Sequence, residues 1–106
     1  MTDKIIVLST CATEAEAEKL ARLLLDLRLA ACVSAIPAMR SFYHWKGAIE
    51  SSAECLLLIK TSRELFADLC QTLQKSHSYE IPEVLAVPIL AGAENYLDWM
   101  GTHLRQ

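Results

Sequence analysis

From Ala30 the chain reads as strand through ACVSAIPAMRSFYHW, meets Lys46-Gly47, and returns through AIESSAECLLLIK. Two apolar arms meeting at a lone Lys-Gly pair define a hairpin, because Gly47 takes the positive φ that a tight turn needs and Trp45 then faces Ala48. Pro37 cannot donate to a ladder, so the first arm carries a bulge or lies at a sheet edge. Arms of about 14 residues at ~3.3 Å each reach on the order of 45 Å, whereas a compact domain of this length is roughly 35 Å across. Part of the hairpin must overhang. A ribbon presenting Phe42, Tyr43, Trp45 and Ile49 with unpaired edges needs a cover, and a second copy of the chain is the simplest one.

The flanking segments say what the hairpin joins. KIIVLS, Lys4 to Ser9, is β-branched without polar alternation, which predicts a central strand covered by protein. Thr13 and Glu16 form a T-x-x-E capping box ahead of Ala17, Leu20, Ala21, Leu24 and Leu27, predicting an amphipathic helix over Thr13 to Arg28. A second box, Thr61 to Glu64, predicts another helix with Leu65, Phe66, Leu69, Cys70 and Leu73 inward, ending near His77. EVLAVPIL is a further strand, its Pro88 suited to an edge, and NYLDWMGTHL closes the chain as a short helix. The order β-α-β-β-α-β plus a helix predicts an α+β, ferredoxin-like split βαβ fold, with the first and third strands central.

One domain spanning 1–106 is expected from 106 residues and 53% apolar content, with no repeat and no linker-like composition. The formal charge of −3 is spread without a basic stripe, so nucleic acid and anionic lipid are not expected partners. The opening MTDKIIVLST has a four-residue apolar run and no segment nears a membrane span, which leads to an expected cytoplasmic location. Cys11, Cys32, Cys55 and Cys70 contain no C-x-x-C pair, arguing against a zinc site or a redox dithiol. Cys32, Cys55 and Cys70 lie in apolar runs and read as small core residues. Cys11 precedes a helix N-terminus, where a thiolate gains stability, so it reads either as a reactive thiol or as a quiet one.

Several functions of this architecture find no support. The central strands carry no aromatic platform for RNA bases. The loop after the first strand, STCATEAE, offers neither a metal-chaperone C-x-x-C nor a phosphate-holding Arg. No Ser-His-Asp order, phosphate loop or H-E-x-x-H is present, so an enzyme is not expected.

SFYHWKGAIESSAE resembles the S-x-Y-x-W-x-G-x-I-x-x-x-x-E signature of the CutA divalent-cation tolerance proteins, and HSYEIPEVLAVP resembles their H-P-Y-E-x-P-E segment. LAACVSAIP and AENYLDWM are similar to two further blocks of that family, so the likeness spans nearly the whole chain. The resemblance implies a compact homotrimer related in architecture to the PII signalling proteins, with hairpins pairing between subunits. It implies a role in tolerance of divalent metal ions, copper among them, with Cu(II) or another divalent cation bound weakly at a cleft between subunits. The alternative it leaves open is a PII-like signalling or adaptor module that takes a small ligand there.

The family's site maps onto Ser41, Tyr43, Trp45, Lys60, His77, Tyr79 and Glu83, with His77 as the metal-binding imidazole. Two positions depart from the pattern: Ser9 stands where some members carry a cysteine, and Ser78 replaces the Pro of H-P-Y-E. Without that thiolate the softest ligand is missing, and imidazole, oxygens and water suit Cu(II) or Zn(II) without strong selection. From the residues alone, His77 also reads as a cation-favouring group at a helix C-terminus. Glu80 and Glu83 are the nearest carboxylate partners or else pair with surface cations. Tyr43 and Trp45 share a strand face and read equally as interface packing.

Overall fold

A computed structural model describes residues 2–106. Its elements are β1 (Lys4–Cys11), α1 (Glu14–Asp26), β2 (Cys32–Trp45), β3 (Ala48–Ser62), a 3-10 turn (Arg63–Leu65), α2 (Phe66–Ser76), β4 (Leu85–Pro88) and α3 (Glu94–His103). The four strands form one antiparallel sheet in the order β2-β3-β1-β4, so the first and third strands are central and both proline-bearing strands are edges.

Helix α1 starts as its capping box dictates, with the Thr13 hydroxyl accepting from the Glu16 N–H at 3.1 Å. It stops two residues short of Arg28. Arg28 takes φ 56°, and the Arg28 and Leu29 N–H groups bond back to Leu25 and Leu24 in a Schellman closure. A non-glycine residue is held left-handed there by its surroundings: Arg28 donates to the His103 carbonyl, and its own carbonyl accepts from the Arg105 N–H.

The second capping box does not form. Thr61 and Ser62 instead prolong β3, paired with Ile5 and Lys4, and the Thr61 hydroxyl donates to the Leu29 carbonyl at 2.7 Å. A central strand with a waiting partner outcompetes a helix cap, so α2 is entered through the 3-10 turn without a side-chain cap.

One face of the sheet carries the core. Ile5, Val7, Cys11, Cys55, Leu57 and Ile59 are buried together with Ala17, Leu20 and Leu24 of α1 and Leu69 and Leu73 of α2. Each fully buried Leu contributes about 1.5–3 kcal/mol. The other face is a departure from the expectation of strands covered on both sides. There Ile6, Leu8, Leu56 and Leu58 are only half-buried, and their β4 partners Val87 and Leu85 are exposed.

The hairpin overhangs as its length requires: the molecule measures 46 × 26 × 22 Å. Along its outer part Phe42, Trp45 and Ile49 are 70%, 59% and 73% exposed. Lys46 and Gly47 both have positive φ at the turn, and Trp45 pairs with Ala48. A bulge at Pro37-Ala38 shifts the β2–β3 register between Ile36↔Leu56 and Met39↔Glu54, with Ala38 at φ 62°.

Candidate functional site

The bulge decides which hairpin side chains meet the rest of the molecule. Before it, even-numbered β2 residues pair with even-numbered β3 residues; beyond it, Tyr43 pairs with Glu50 and Ser41 with Ser52. Ser41, Tyr43 and Trp45 therefore turn onto the open face of the sheet, the face of Thr10 and Leu56. There Tyr43, Trp45, Glu50, Ser52 and Glu54 line a cleft of ≈ 680 Å³ together with Thr10, Tyr79, Glu80 and Ile81. The Tyr43 hydroxyl and the Ser52 hydroxyl lie 3.3 Å apart in a hydrogen bond.

His77 caps α2 with extended backbone, its N–H donating to the Leu73 carbonyl. Its side chain is fully buried. Nδ1 accepts the Tyr79 N–H at 3.0 Å, and Nε2 lies 2.7 Å from the Thr10 carbonyl, which can only accept. The neutral tautomer with hydrogen on Nε2 satisfies both contacts. Both ring nitrogens of His77, the expected metal-binding imidazole, are engaged with backbone in this chain, and the ring serves as a strut between β1 and the loop after α2.

That strut aims Tyr79. The two rings lie 4.8 Å apart, and the Tyr79 hydroxyl donates to Glu54 Oε2 at 2.6 Å. Burial, reinforced by the neighbouring Glu54 carboxylate, pushes the Tyr79 phenol well above its ordinary range. Glu16 closes the loop from outside, accepting from the Ser78 N–H and hydroxyl at 2.8 Å each and from the Ala12 N–H at 3.3 Å. Burial works to raise the Glu16 carboxyl, but the Ser78 and Ala12 hydrogen bonds outweigh it and hold the group below its usual value. Ser78, the departure from H-P-Y-E, is thus a working donor.

The remaining expected residues lie elsewhere. Lys60 pairs with Cys32 toward the other end of the open face, where it bonds the Tyr96 hydroxyl at 3.3 Å; that bond raises the Lys60 ammonium. Ser41 sits beside the cleft without lining it. Glu83 is exposed, and its carbonyl accepts from the buried Ser9 hydroxyl at 2.7 Å, so Ser9 ties β1 to the approach of β4. Thr10, Glu50, Ser52 and Glu54 are cleft residues that sequence reasoning missed. Glu54 closes the hairpin signature, and period-two spacing from Glu54 through Ser52 to Glu50 was the available signal.

Among the described residues no three His, Cys, Asp or Glu side chains converge as a metal-binding group. Cys11 is fully buried, and burial first and Cys55 second push its thiol up to about 11, so it carries little thiolate at neutral pH. Cys55 is buried as expected, whereas Cys32 and Cys70 are half-buried.

Comparison with known proteins agrees with this architecture. The family model described as CutA1 divalent ion tolerance protein matches residues 5–103. The divalent-cation tolerance protein CutA of Pectobacterium atrosepticum is 38% identical over 105 residues, covering 99% of this chain and 96% of that one. The crystal structure of CutA from Xylella fastidiosa superposes with a TM-score of 0.96 at 38% identity, covering 98% and 100% of the two chains. A structure described as the periplasmic divalent cation tolerance protein CutA of Archaeoglobus fulgidus gives 0.93 at 35%, covering 96% and 99%. The chloroplastic protein CutA of Arabidopsis thaliana is 38% identical over 95% of this chain and 56% of its own.

These relatives overturn the expected cytoplasmic location. One is described as periplasmic and another as chloroplastic, and compartment is set by targeting signals that this fold does not encode. No helix of the described residues is long and apolar enough to cross a membrane. The match over residues 5–103 and the relatives aligned end to end make this chain a member of the CutA1 divalent ion tolerance family.

Proposed function

We propose that the chain serves divalent-cation tolerance as a homotrimer of ferredoxin-like subunits, with cations held weakly in the cleft once a neighbouring subunit closes it. The observation that carries this reading is the continuity between the open apolar sheet face and the carboxylate-lined cleft. Ile6, Leu8, Leu56, Leu58, Leu85 and Val87 form an apolar surface that the described residues leave half-buried to exposed, and it runs into Glu50, Glu54 and Glu80. The strand order β2-β3-β1-β4 with helical crossovers supports the ferredoxin-like assignment. The projecting hairpin supports pairing with another copy.

Within one chain the donors do not complete a cation site, since His77 is committed and the carboxylates do not converge. Oxygen ligands from Glu50, Glu54 and Glu80, joined by water and by a second subunit, suit divalent cations without selecting copper. The protein is a binding protein in this reading and not an enzyme. A PII-like adaptor taking an anionic metabolite is not favoured, because the lining holds three carboxylates and neither Lys nor Arg.

Calorimetric titration of the tag-free protein at pH 7.5 with Cu(II) and Zn(II) tests the cation reading. Binding in the micromolar range, roughly −8 kcal/mol, is expected for both. Glu50→Gln with Glu80→Gln should weaken it tenfold or more, while His77→Gln leaves it within twofold in the folded trimer. Loss of affinity as pH falls through about 6.5 would instead mark an imidazole ligand and sink the oxygen site.

A further inference from the structure

Cys11 ends β1 and is the direct cross-strand partner of Cys55 in β3. Both side chains lie on the helix-covered face, with Cys11 0% and Cys55 4% exposed, and neither is in a disulfide. Directly opposed residues of antiparallel strands have Cα atoms about 4.5–5.5 Å apart, which falls inside the roughly 4.4–6.8 Å that a disulfide spans. Two buried thiols thus stand opposite each other at bonding register.

The surroundings of the pair are also particular. On the β2 side, Cys55 faces the bulge at Pro37-Ala38, where regular pairing is interrupted and proline offers no N–H. The ladder is therefore weakest beside Cys55, and Pro37 and Ala38 are exposed. Cys55 is followed outward by the overhanging half of the hairpin, and its neighbour Glu54 holds Tyr79. A bond at this point fastens the root of the ribbon to the central strand directly behind the cleft.

We propose that Cys11 and Cys55 are a thiol pair that closes to a reversible cross-strand disulfide under a small peroxide oxidant. One thiolate attacks an oxygen of hydrogen peroxide, forming a sulfenic acid and releasing hydroxide. The second thiol then displaces the sulfenic hydroxyl, forming the S–S bond and releasing water. In sum, two thiols and one hydrogen peroxide give one disulfide and two waters; the sulfurs lose two electrons and the peroxide gains them. A peroxide molecule is little larger than water and leaves no bulky adduct in the core, unlike a mixed disulfide. The elevated Cys11 thiol makes the reaction slow at neutral pH and faster as pH rises.

The test uses a chain carrying Cys32→Ala and Cys70→Ala, and the unaltered chain in parallel in case that variant folds poorly. Hydrogen peroxide is added at pH 8.5, and intact mass, free thiols and non-reduced peptide maps are followed. The expected result is loss of two hydrogens per chain, a single linked peptide joining Cys11 to Cys55, and full return with dithiothreitol. The guanidinium unfolding midpoint should move upward in the oxidised form, because the bond closes a long loop in the unfolded chain, and should return on reduction. Cys11→Ser and Cys55→Ser should each abolish the linked peptide. Sulfinic acid at either position, linkage only between chains, or two thiols that survive peroxide would each overturn the assignment.

Discussion

Tyr79 donates its phenolic hydrogen to Glu54 across 2.6 Å, joining the loop after α2 to the last buried carboxylate before the hairpin leaves the core. Tyr79→Phe removes one hydrogen bond to a charged acceptor and should cost about 1–2 kcal/mol in denaturant unfolding. The phenol is held above its ordinary value of 10.0, chiefly by burial and then by Glu54. Its contribution is therefore complete below pH 10 and is lost as pH rises toward the folded-state value. Ultraviolet titration should show one of the three tyrosines ionising only as the protein unfolds. Three phenols titrating together while the fold persists would contradict the assignment.

His77 acts through two backbone partners rather than a ligand. His77→Ala leaves the Thr10 carbonyl and the Tyr79 N–H without their side-chain partner, which should lower stability by about 2–4 kcal/mol. Urea unfolding read by tryptophan fluorescence measures this directly, and a loss below roughly 0.5 kcal/mol would show that the ring is not a strut.

Glu16 gives the fold an acid limit. Its carboxyl is depressed in the folded state, so the stability it contributes is present above the ordinary value of 4.5 and fades as pH falls through the folded value. Glu16→Gln should flatten the stability profile between about pH 5 and 3 relative to the parent. Parallel profiles for the two proteins would remove Glu16 from this role.

Association should be visible in heat denaturation. If the open face of Leu8, Leu56 and Leu58 is covered by another copy, the melting temperature rises with protein concentration. Leu58→Glu places a charge on that face without touching the helix-covered core and should yield a folded monomer near 11.8 kDa by light scattering. A parent protein of that same mass at micromolar concentration would end the trimer reading.

The strand order and the first helix were legible because each rested on local chemistry: the apolar runs of Lys4 to Ser9 and Cys55 to Lys60, the Thr13 box, the Lys46-Gly47 turn. Thr61 was misread because its hydroxyl answers to Leu29, 32 residues away in sequence, and not to the turn beside it. The bonding of His77 was illegible for a related reason. An imidazole is the same letter whether its nitrogens face solvent or two backbone groups, and only the folded path of Thr10 past α2 shows which. Glu16 looked like a capping residue and is one, yet its strongest partners are at Ser78, a contact that sequence spacing does not encode.

The bulge at Pro37-Ala38 makes the hairpin's outer half a phase-shifted copy of what its stem would produce. Remove one of those residues and the other simply pairs with Cys55, while Met39↔Glu54, Tyr43↔Glu50 and Trp45↔Ala48 keep their partners. The outer half takes its facing from β3 and the Lys46-Gly47 turn, and the bulge absorbs the mismatch with the stem. The edge strand can therefore gain or lose a residue at this one place while Tyr43 and Trp45 go on facing the cleft. The cleft is insulated from the length of the strand that supplies its phenol and its indole.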